Sequence, residues 1–289
     1  MAVAITKFSG FCGFLPVEKI AQFLSFVVEF DEVVGKHKSE AFRHIVSEKE
    51  PTHESIKACL KDVFARVMCA PTELVQAELT KLVKRYEAGE EKDLEKDVKP
   101  VVLELNKQYP GDVGIFCVFL LNVVKLEAGQ AMFLCANEPH AYIYGDIIEC
   151  MATSDNVVRA GLTPKLRDVS TLVAMLTYNW GPADSQIMPP TRFRSTSHTT
   201  LYDPPIDEFS VALTDLGAET TEVHEPIDGP SIFIVTRGDG KVKWKESDGK
   251  EVEVNLEKAG AVFFIGAGVQ VEFSSGSSGL TLYRAFVEA

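Results

Sequence analysis

The sequence predicts a mainly β protein with an α-helical insertion: two jelly-roll halves, with a helical domain set early in the first. Three observations predict it. Between residues 17 and 109 the apolar positions recur at helical period. From Gly111 onward Val, Ile, Phe and Tyr dominate, in short runs cut by Gly, Pro and Asn, which is the mark of short strands. Finally, "KLEAGQAMFLCANEPHAYIYGD" (125–146) resembles "NLEKAGAVFFIGAGVQVEFSSG" (255–276). Each copy has an Ala/Gly turn, an apolar strand, a loop and another strand, so a duplicated β unit follows. Strands pairing across such a sandwich form jelly rolls.

The opening "MAVAIT" alternates, so the chain begins in a strand. The clearest helix carries Ile56, Cys59, Leu60, Val63, Phe64, Val67 and Met68, a single apolar face. Pro51 and Thr52 start it and Pro71 ends it. A second helix covers 72–88, with Leu74, Val75, Leu79, Leu82, Val83 and Tyr86 inward and Gly89 as its C-terminal cap. The charge run "EAGEEKDLEKDVK" (87–99) reads as a solvated loop. The apolar run 113–124 falls short of the roughly 20 residues of a membrane span and reads as a buried strand or strand pair. A short helix is predicted over 169–176. "RGDGK" (237–241) and "ESDGK" (246–250) read as tight hairpin turns, because Gly supplies positive φ.

Composition narrows the function. A length of 289 residues with 46% apolar and 25% charged positions describes a soluble globular chain with a sizeable core. A net charge of −13 repels phosphate backbones and argues against nucleic acid as a partner. The six cysteines form no CxxC pair and suggest free thiols in a reducing cytosol, so a cytoplasmic location is expected. No membrane partner is expected, and the N-terminus lacks the basic lead of a signal peptide. No GxGxxG, P-loop, HExxH or GxSxG is present.

Chemistry concentrates in "ANEPHAYIYGDIIECMATSDNVVRAGLTPK" (136–165). His140 ends an apolar strand, where an imidazole is either a metal ligand or an ordinary surface or satisfied core residue. Glu149, flanked by Ile148 and Cys150, is either a site carboxylate with a partner or an edge-strand residue facing water. Asp155 with Asn156 has the look of a turn, and the turn reading suffices for it. Arg159 can hold a planar oxyanion by two hydrogen bonds, and Lys165 can meet a phosphate; each alone is equally a solvated cation. As a set they suit a phosphorylated small molecule. His37, His44 and His53 fall among the helices, and His198 and His224 in loops, and all five read as structural or exposed.

"GDIIECMATSDNVVRAGLTPK" closely resembles the signature region of the type I mannose-6-phosphate isomerases (phosphomannose isomerases). "FLCANEPHAY" and "MAVAITKFSGFCGF" resemble that family too, and the resemblance spans essentially the whole chain. It implies a zinc-dependent cupin-type double jelly roll plus a helical domain. It implies interconversion of mannose 6-phosphate and fructose 6-phosphate by proton transfer through an enediol, feeding GDP-mannose synthesis. By resemblance His140 is a zinc ligand, Arg159 and Glu149 are catalytic, and Lys165, Asp155 and Tyr142 line the pocket of the phosphorylated hexose.

The family holds zinc with a Gln-x-His pair, a glutamate and the histidine matched by His140. By resemblance the other three ligands belong to segments upstream of Met1. The chain is therefore expected to be an N-terminally shortened monomer with its first jelly roll incomplete and little activity alone. The implied division is 1–15, a remnant of the first jelly roll; 16–110, the helical insertion; 111–168, the rest of the catalytic cupin; and 169–289, the C-terminal jelly roll. The alternative is a non-catalytic cupin that binds a sugar phosphate or a partner.

Overall fold

The computed structural model describes every residue except Asp155, Asn156 and Ala289. The opening alternation forms β1 (Ala2–Ala4), and β2 (Phe8–Phe14) follows. Six helices come next: α1 (Val17–Phe26), α2 (Val28–Val34), α3 (Lys36–Ser47), α4 (His53–Met68), α5 (Thr72–Glu87) and α6 (Lys99–Gln108). The chain returns to strands at β3 (Leu121–Leu126), β4 (Ala131–Met132), β5 (His140–Tyr144) and β6 (Ile147–Glu149). After α7 (Val169–Met175) come β7 (Ile187–Met188), β8 (Thr191–Arg192), β9 (Thr199–Tyr202), β10 (Ser210–Leu216) and β11 (Thr221–His224). The last strands are β12 (Ser231–Lys245), β13 (Glu251–Leu256), β14 (Val262–Ile265) and β15 (Val271–Phe286).

The strands form a four-stranded sheet ordered β6-β1-β4-β7 and a three-stranded sheet ordered β3-β2-β5. A larger sheet runs β13-β12-β15-β10-β9-β8, with β11 paired to β15 and β14 to β12. Strand β1 joins two β cores. Ala2 and Ala4 face Phe8, Cys12, Val124, Leu126 and Met132, while Met1 and Val3 turn onto Tyr202, Phe209, Val211 and Tyr283 of the larger sheet. The two-residue period of a strand makes this division unavoidable.

The predicted helical faces are the buried ones. Ile56, Leu60, Val63, Phe64 and Val67 of α4 are buried, and the Thr52 hydroxyl oxygen accepts the Ser55 N–H at 3.1 Å as its N-cap. Val75, Leu79, Leu82 and Tyr86 of α5 are buried, and Gly89 ends it at φ +75°. Pro71 stands as the N-cap position of α5 rather than as the end of α4, which stops at Met68. The short helix predicted over 169–176 is α7.

Three expectations are corrected. The run 113–124 is not a strand pair. Val113–Phe119 is a 3-10 helix, every residue of it buried, and only Leu121–Leu126 is a strand. A short, uniformly apolar run carries no periodicity to separate the two. Here the Asp112 carboxylate accepts the Gly114 N–H at 2.7 Å and starts the helix. Nor is 87–99 simply solvated, because Glu95 is fully buried. Arg85 forks between Glu95 (Nη2–Oε1 2.6 Å) and Glu29 (Nε–Oε1 2.9 Å), and the Tyr86 hydroxyl donates to Glu95 at 3.1 Å. A cation fixed on α5 thus draws an acid out of the charge run into the interior. Of the two predicted hairpins, "ESDGK" joins β12 to β13, with the Glu246 N–H donating to the Lys250 carbonyl at 2.9 Å. "RGDGK" instead lies inside β12 as an irregularity in its pairing with β15. Gly238 sits there at φ +78°, and a Cβ would come within 1.9 Å of the Gly279 carbonyl oxygen.

Candidate functional site

β5 and β6 are end strands of their sheets, and the first candidate residues stand on them. His140 is paired opposite Cys12, Tyr142 opposite Gly10, and Glu149 opposite Ala2. His140 and Tyr142 share a face of β5, because they are two residues apart. Their rings lie 6.4 Å apart, and Tyr142 packs edge-on to Phe8 at 5.6 Å. The Tyr142 hydroxyl donates to the Glu149 carboxylate. The structure thus brings His140, Tyr142 and Glu149 together at an exposed edge. Burial of the Tyr142 hydroxyl, reinforced by the bond to Glu149, pushes its pKa well above that of a free tyrosine. The phenol therefore keeps its proton and acts as a donor.

Arg159 and Lys165 follow on an irregular segment. Val158, Ala160 and Leu162 pack partly buried against the helical core, which places Arg159 between two anchors. The Asp112 carboxylate accepts the Leu162 N–H at 2.9 Å, and a Cβ on Gly161 would meet the Gly114 Cα at 2.7 Å, so the segment is clamped to the start of the 3-10 helix. Arg159 is half-buried and Lys165 exposed. Among the described residues neither guanidinium nor ammonium bonds to the His140–Tyr142–Glu149 group, and Arg159 has no hydrogen-bond or ion-pair partner. Asp155 lies outside the described residues.

A cleft of about 540 Å³ opens beside the same segment, walled by Thr72, Tyr109, Asp112, Thr163, Pro164 and Arg167 among others. None of His140, Tyr142, Glu149 or Arg159 lines it, so it is separate from the edge site. Among the described residues no three His, Cys, Asp or Glu side chains converge as a metal would require. A zinc centre takes three or four protein ligands. His140 alone does not fit one, and the chemistry assigned to these residues takes no step through zinc.

Two polar groups escaped the reading of the sequence. The first lies behind His140. The Glu138 carboxylate accepts from the Thr177 hydroxyl and from Asn179 Nδ2 at 3.2 Å, and Lys57 Nζ donates to Asn179 Oδ1 at 2.7 Å. Burial raises the Glu138 pKa, against the lowering effect of these partners. The second lies inside the larger sheet and corrects the placement of His224 in a loop, while its reading as a structural residue fits. His224 is on β11 and is fully buried, with Glu222, Thr199, Thr214 and Arg284 around it. Burial opposes ionisation of Glu222. The His224 imidazole at 3.8 Å, the Thr199 hydroxyl, and the backbone N–H groups of His198 and Ser197 (2.7 and 2.6 Å) nevertheless hold its carboxyl at about 2. Burial also lowers the His224 pKa, so the ring is neutral at pH 7. Arg284 donates to Ser231 at 2.9 Å and approaches His224 Nδ1 at 3.4 Å, and burial brings its pKa down to about 10. A signal for this group was present: Arg284 falls in step with Leu282 and Phe286, the inward positions of β15.

Comparison with known proteins agrees with this layout. Residues 33–121 match the model of the type I phosphomannose isomerase helical insertion domain, and residues 200–245 match that of the type I phosphomannose isomerase C-terminal region. The chain is 46% identical to a mannose-6-phosphate isomerase of Cryptococcus neoformans and 42% identical to that of Saccharomyces cerevisiae. All of this chain aligns in both cases, with 69% and 68% of the relatives' lengths. A solved mannose 6-phosphate isomerase from Salmonella typhimurium, bound to its substrate fructose 6-phosphate and to zinc, superposes with a TM-score of 0.73 at 26% identity. That match covers the whole of this chain and 66% of the other.

Proposed function

The chain belongs to the type I phosphomannose isomerases, a family of aldose–ketose isomerases, and on that premise we propose that its edge site takes a phosphorylated hexose and serves the interconversion of mannose 6-phosphate and fructose 6-phosphate. The Tyr142–Glu149 pair beside His140 carries the reading, because it sets a proton donor and a carboxylate side by side on two rigid strand ends. Glu149 takes the proton from C2 of the aldose and returns it to C1 of the enediolate, while the hydroxyl proton of O2 passes to O1, leaving the carbonyl at C2. Arg159, half-buried and unpaired among the described residues, supplies fixed positive charge to the enediolate oxygen. Lys165, exposed on the following loop, meets the phosphate, with Tyr142 on the sugar side. The same proposal places the chain in the cytoplasm as a monomer, ahead of GDP-mannose synthesis, with zinc as the family's metal. The six free cysteines support a reducing compartment. The pairing of β7 with β4 supports a passage between the two β halves later than residue 168.

Calorimetric titration of fructose 6-phosphate into the purified chain, run beside a coupled isomerase assay with added zinc, tests the proposal. Binding is expected to weaken at least about tenfold in Lys165→Met, on the order of one charge-assisted hydrogen bond. Turnover is expected to fall by about a hundredfold in Glu149→Gln. Sugar-phosphate binding that neither Lys165→Met nor Arg159→Met changes would remove the site from this edge. Binding without turnover in the unaltered chain would make it a non-catalytic sugar-phosphate binder.

A further inference from the structure

The geometry points to Glu138 as a positioning residue through which the helical insertion sets the tautomer of His140. His140 Nδ1 stands 2.9 Å from the Glu138 carbonyl oxygen. A carbonyl oxygen only accepts, so whenever the ring is neutral its proton sits on Nδ1 and Nε2 offers a bare lone pair. The opposite tautomer would set two lone pairs against each other across that distance.

A contact between residues two apart persists only if the turn between them is rigid, and this turn is held from several sides. Asn137 takes φ +60°, a costly conformation for a residue with a side chain. Its carbonyl accepts the Thr177 N–H at 3.3 Å, and the carbonyl of buried Pro139 accepts the Gly13 N–H at 3.0 Å. Between these points the Glu138 carboxylate is gripped by Thr177 and Asn179. The segment holding Thr177 and Asn179 is in turn fastened to the helices. Lys57 of α4 donates to Asn179, the Tyr178 ring meets Phe64 at 6.2 Å, and Trp180 stacks on His53 at 4.3 Å. The path therefore runs from α4 through Asn179 to the Glu138 side chain, and through the Glu138 carbonyl to Nδ1 of His140. Its use by the site rests on the isomerase reading, but the tautomer stands on geometry alone.

Imidazole ¹⁵N–¹H correlation spectra of the full chain, labelled at histidine and recorded with the rings neutral, test this without sugar phosphate, metal or turnover. The unaltered chain is expected to hold the His140 proton on Nδ1. In Glu138→Ala that preference should fall about tenfold, the worth of one net hydrogen bond. Glu138→Gln keeps an oxygen for Thr177 and should restore it. Lys57→Met should produce a smaller shift in the same direction. Thr177→Val removes one grip on the same carboxylate and takes the place of Glu138→Ala if that variant does not fold. A proton found on Nε2 in the unaltered chain, or a tautomer unmoved in the folded Glu138→Ala or Thr177→Val chain, overturns the inference. Because the readout is the ring itself, loss of the isomerase reading would leave it intact, and its own failure would leave that reading standing.

Discussion

Two places in this molecule bring a histidine and a glutamate on β strands into one polar group, and they differ in almost everything else. At the β5–β6 edge, His140 and Glu149 are exposed, with Tyr142 between them. Inside the larger sheet, Glu222, His224 and Arg284 are buried among Thr199, Thr214 and Ser231, and rings of Phe193 and Phe273 lie 5.3 and 5.0 Å from His224. The residue types are the same, so composition cannot tell the two apart. What separates them is completeness. The buried group satisfies its own hydrogen bonds and leaves nothing to offer a ligand. The edge group keeps a lone pair and an accessible carboxylate. Closed polar groups of this kind specify a structure, and open ones are available for chemistry.

The largest expected effect breaks the closed group. Arg284→Met leaves the buried His224 Nδ1 and the Ser231 hydroxyl without their donor, and the larger sheet should lose about 3 kcal/mol, as when buried polar atoms are left unsatisfied. Urea denaturation followed by Trp244 fluorescence in a Trp180→Phe background reads this, and a change under about 1 kcal/mol would mean that Arg284 is no part of the set. Acid comes next. The folded pKa values of both His224 and Glu222 lie below their unfolded values of 6.5 and 4.5. The unfolded chain therefore takes up protons that the folded chain refuses. Stability is full above pH 6.5 and is lost as pH falls through 6.5 for His224, then from 4.5 toward about 2 for Glu222. Each refused proton costs about 1.4 kcal/mol per pH unit. His224→Gln should flatten the upper part of that window, and an unchanged acid profile would count against the assignment. The smallest effect on stability belongs to the open group. Tyr142→Phe, at a side chain 37% exposed, should shift stability by less than about 0.5 kcal/mol while lowering turnover at least about tenfold in the coupled assay. A large loss of stability there would erase the contrast between the two groups.

Legibility in the sequence follows the same division. The faces of α4 and α5 can be read directly, because a helix against a core repeats its demand every three or four residues. The cluster of His140, Glu149, Arg159 and Lys165 is visible as an unusual density of charge in a β region. Glu138 carries no such signal, because its importance rests on Thr177, Asn179 and Lys57, up to about eighty positions away in either direction. Glu95 and His224 read as loop residues because the groups that meet them in the interior, Arg85 for one and Thr199, Thr214 and Arg284 for the other, belong to no local pattern. "RGDGK" looks like a hairpin because Gly238 does take positive φ, yet positive φ serves a bulge within a long strand equally well.

The amino-acid sequence by itself determined the class of the fold, the helical faces, the double β layout and the family, since each is written in periodicity or in a contiguous motif. Tertiary structure alone decided which charges are sealed and which stay open. It also decided that β1 would serve two cores and that the helical insertion would reach His140 through Glu138. The physical reason is range: periodicity records what one element asks of its immediate surroundings, whereas the state of a charge or the tautomer of a ring is settled by partners that only folding brings within hydrogen-bond distance.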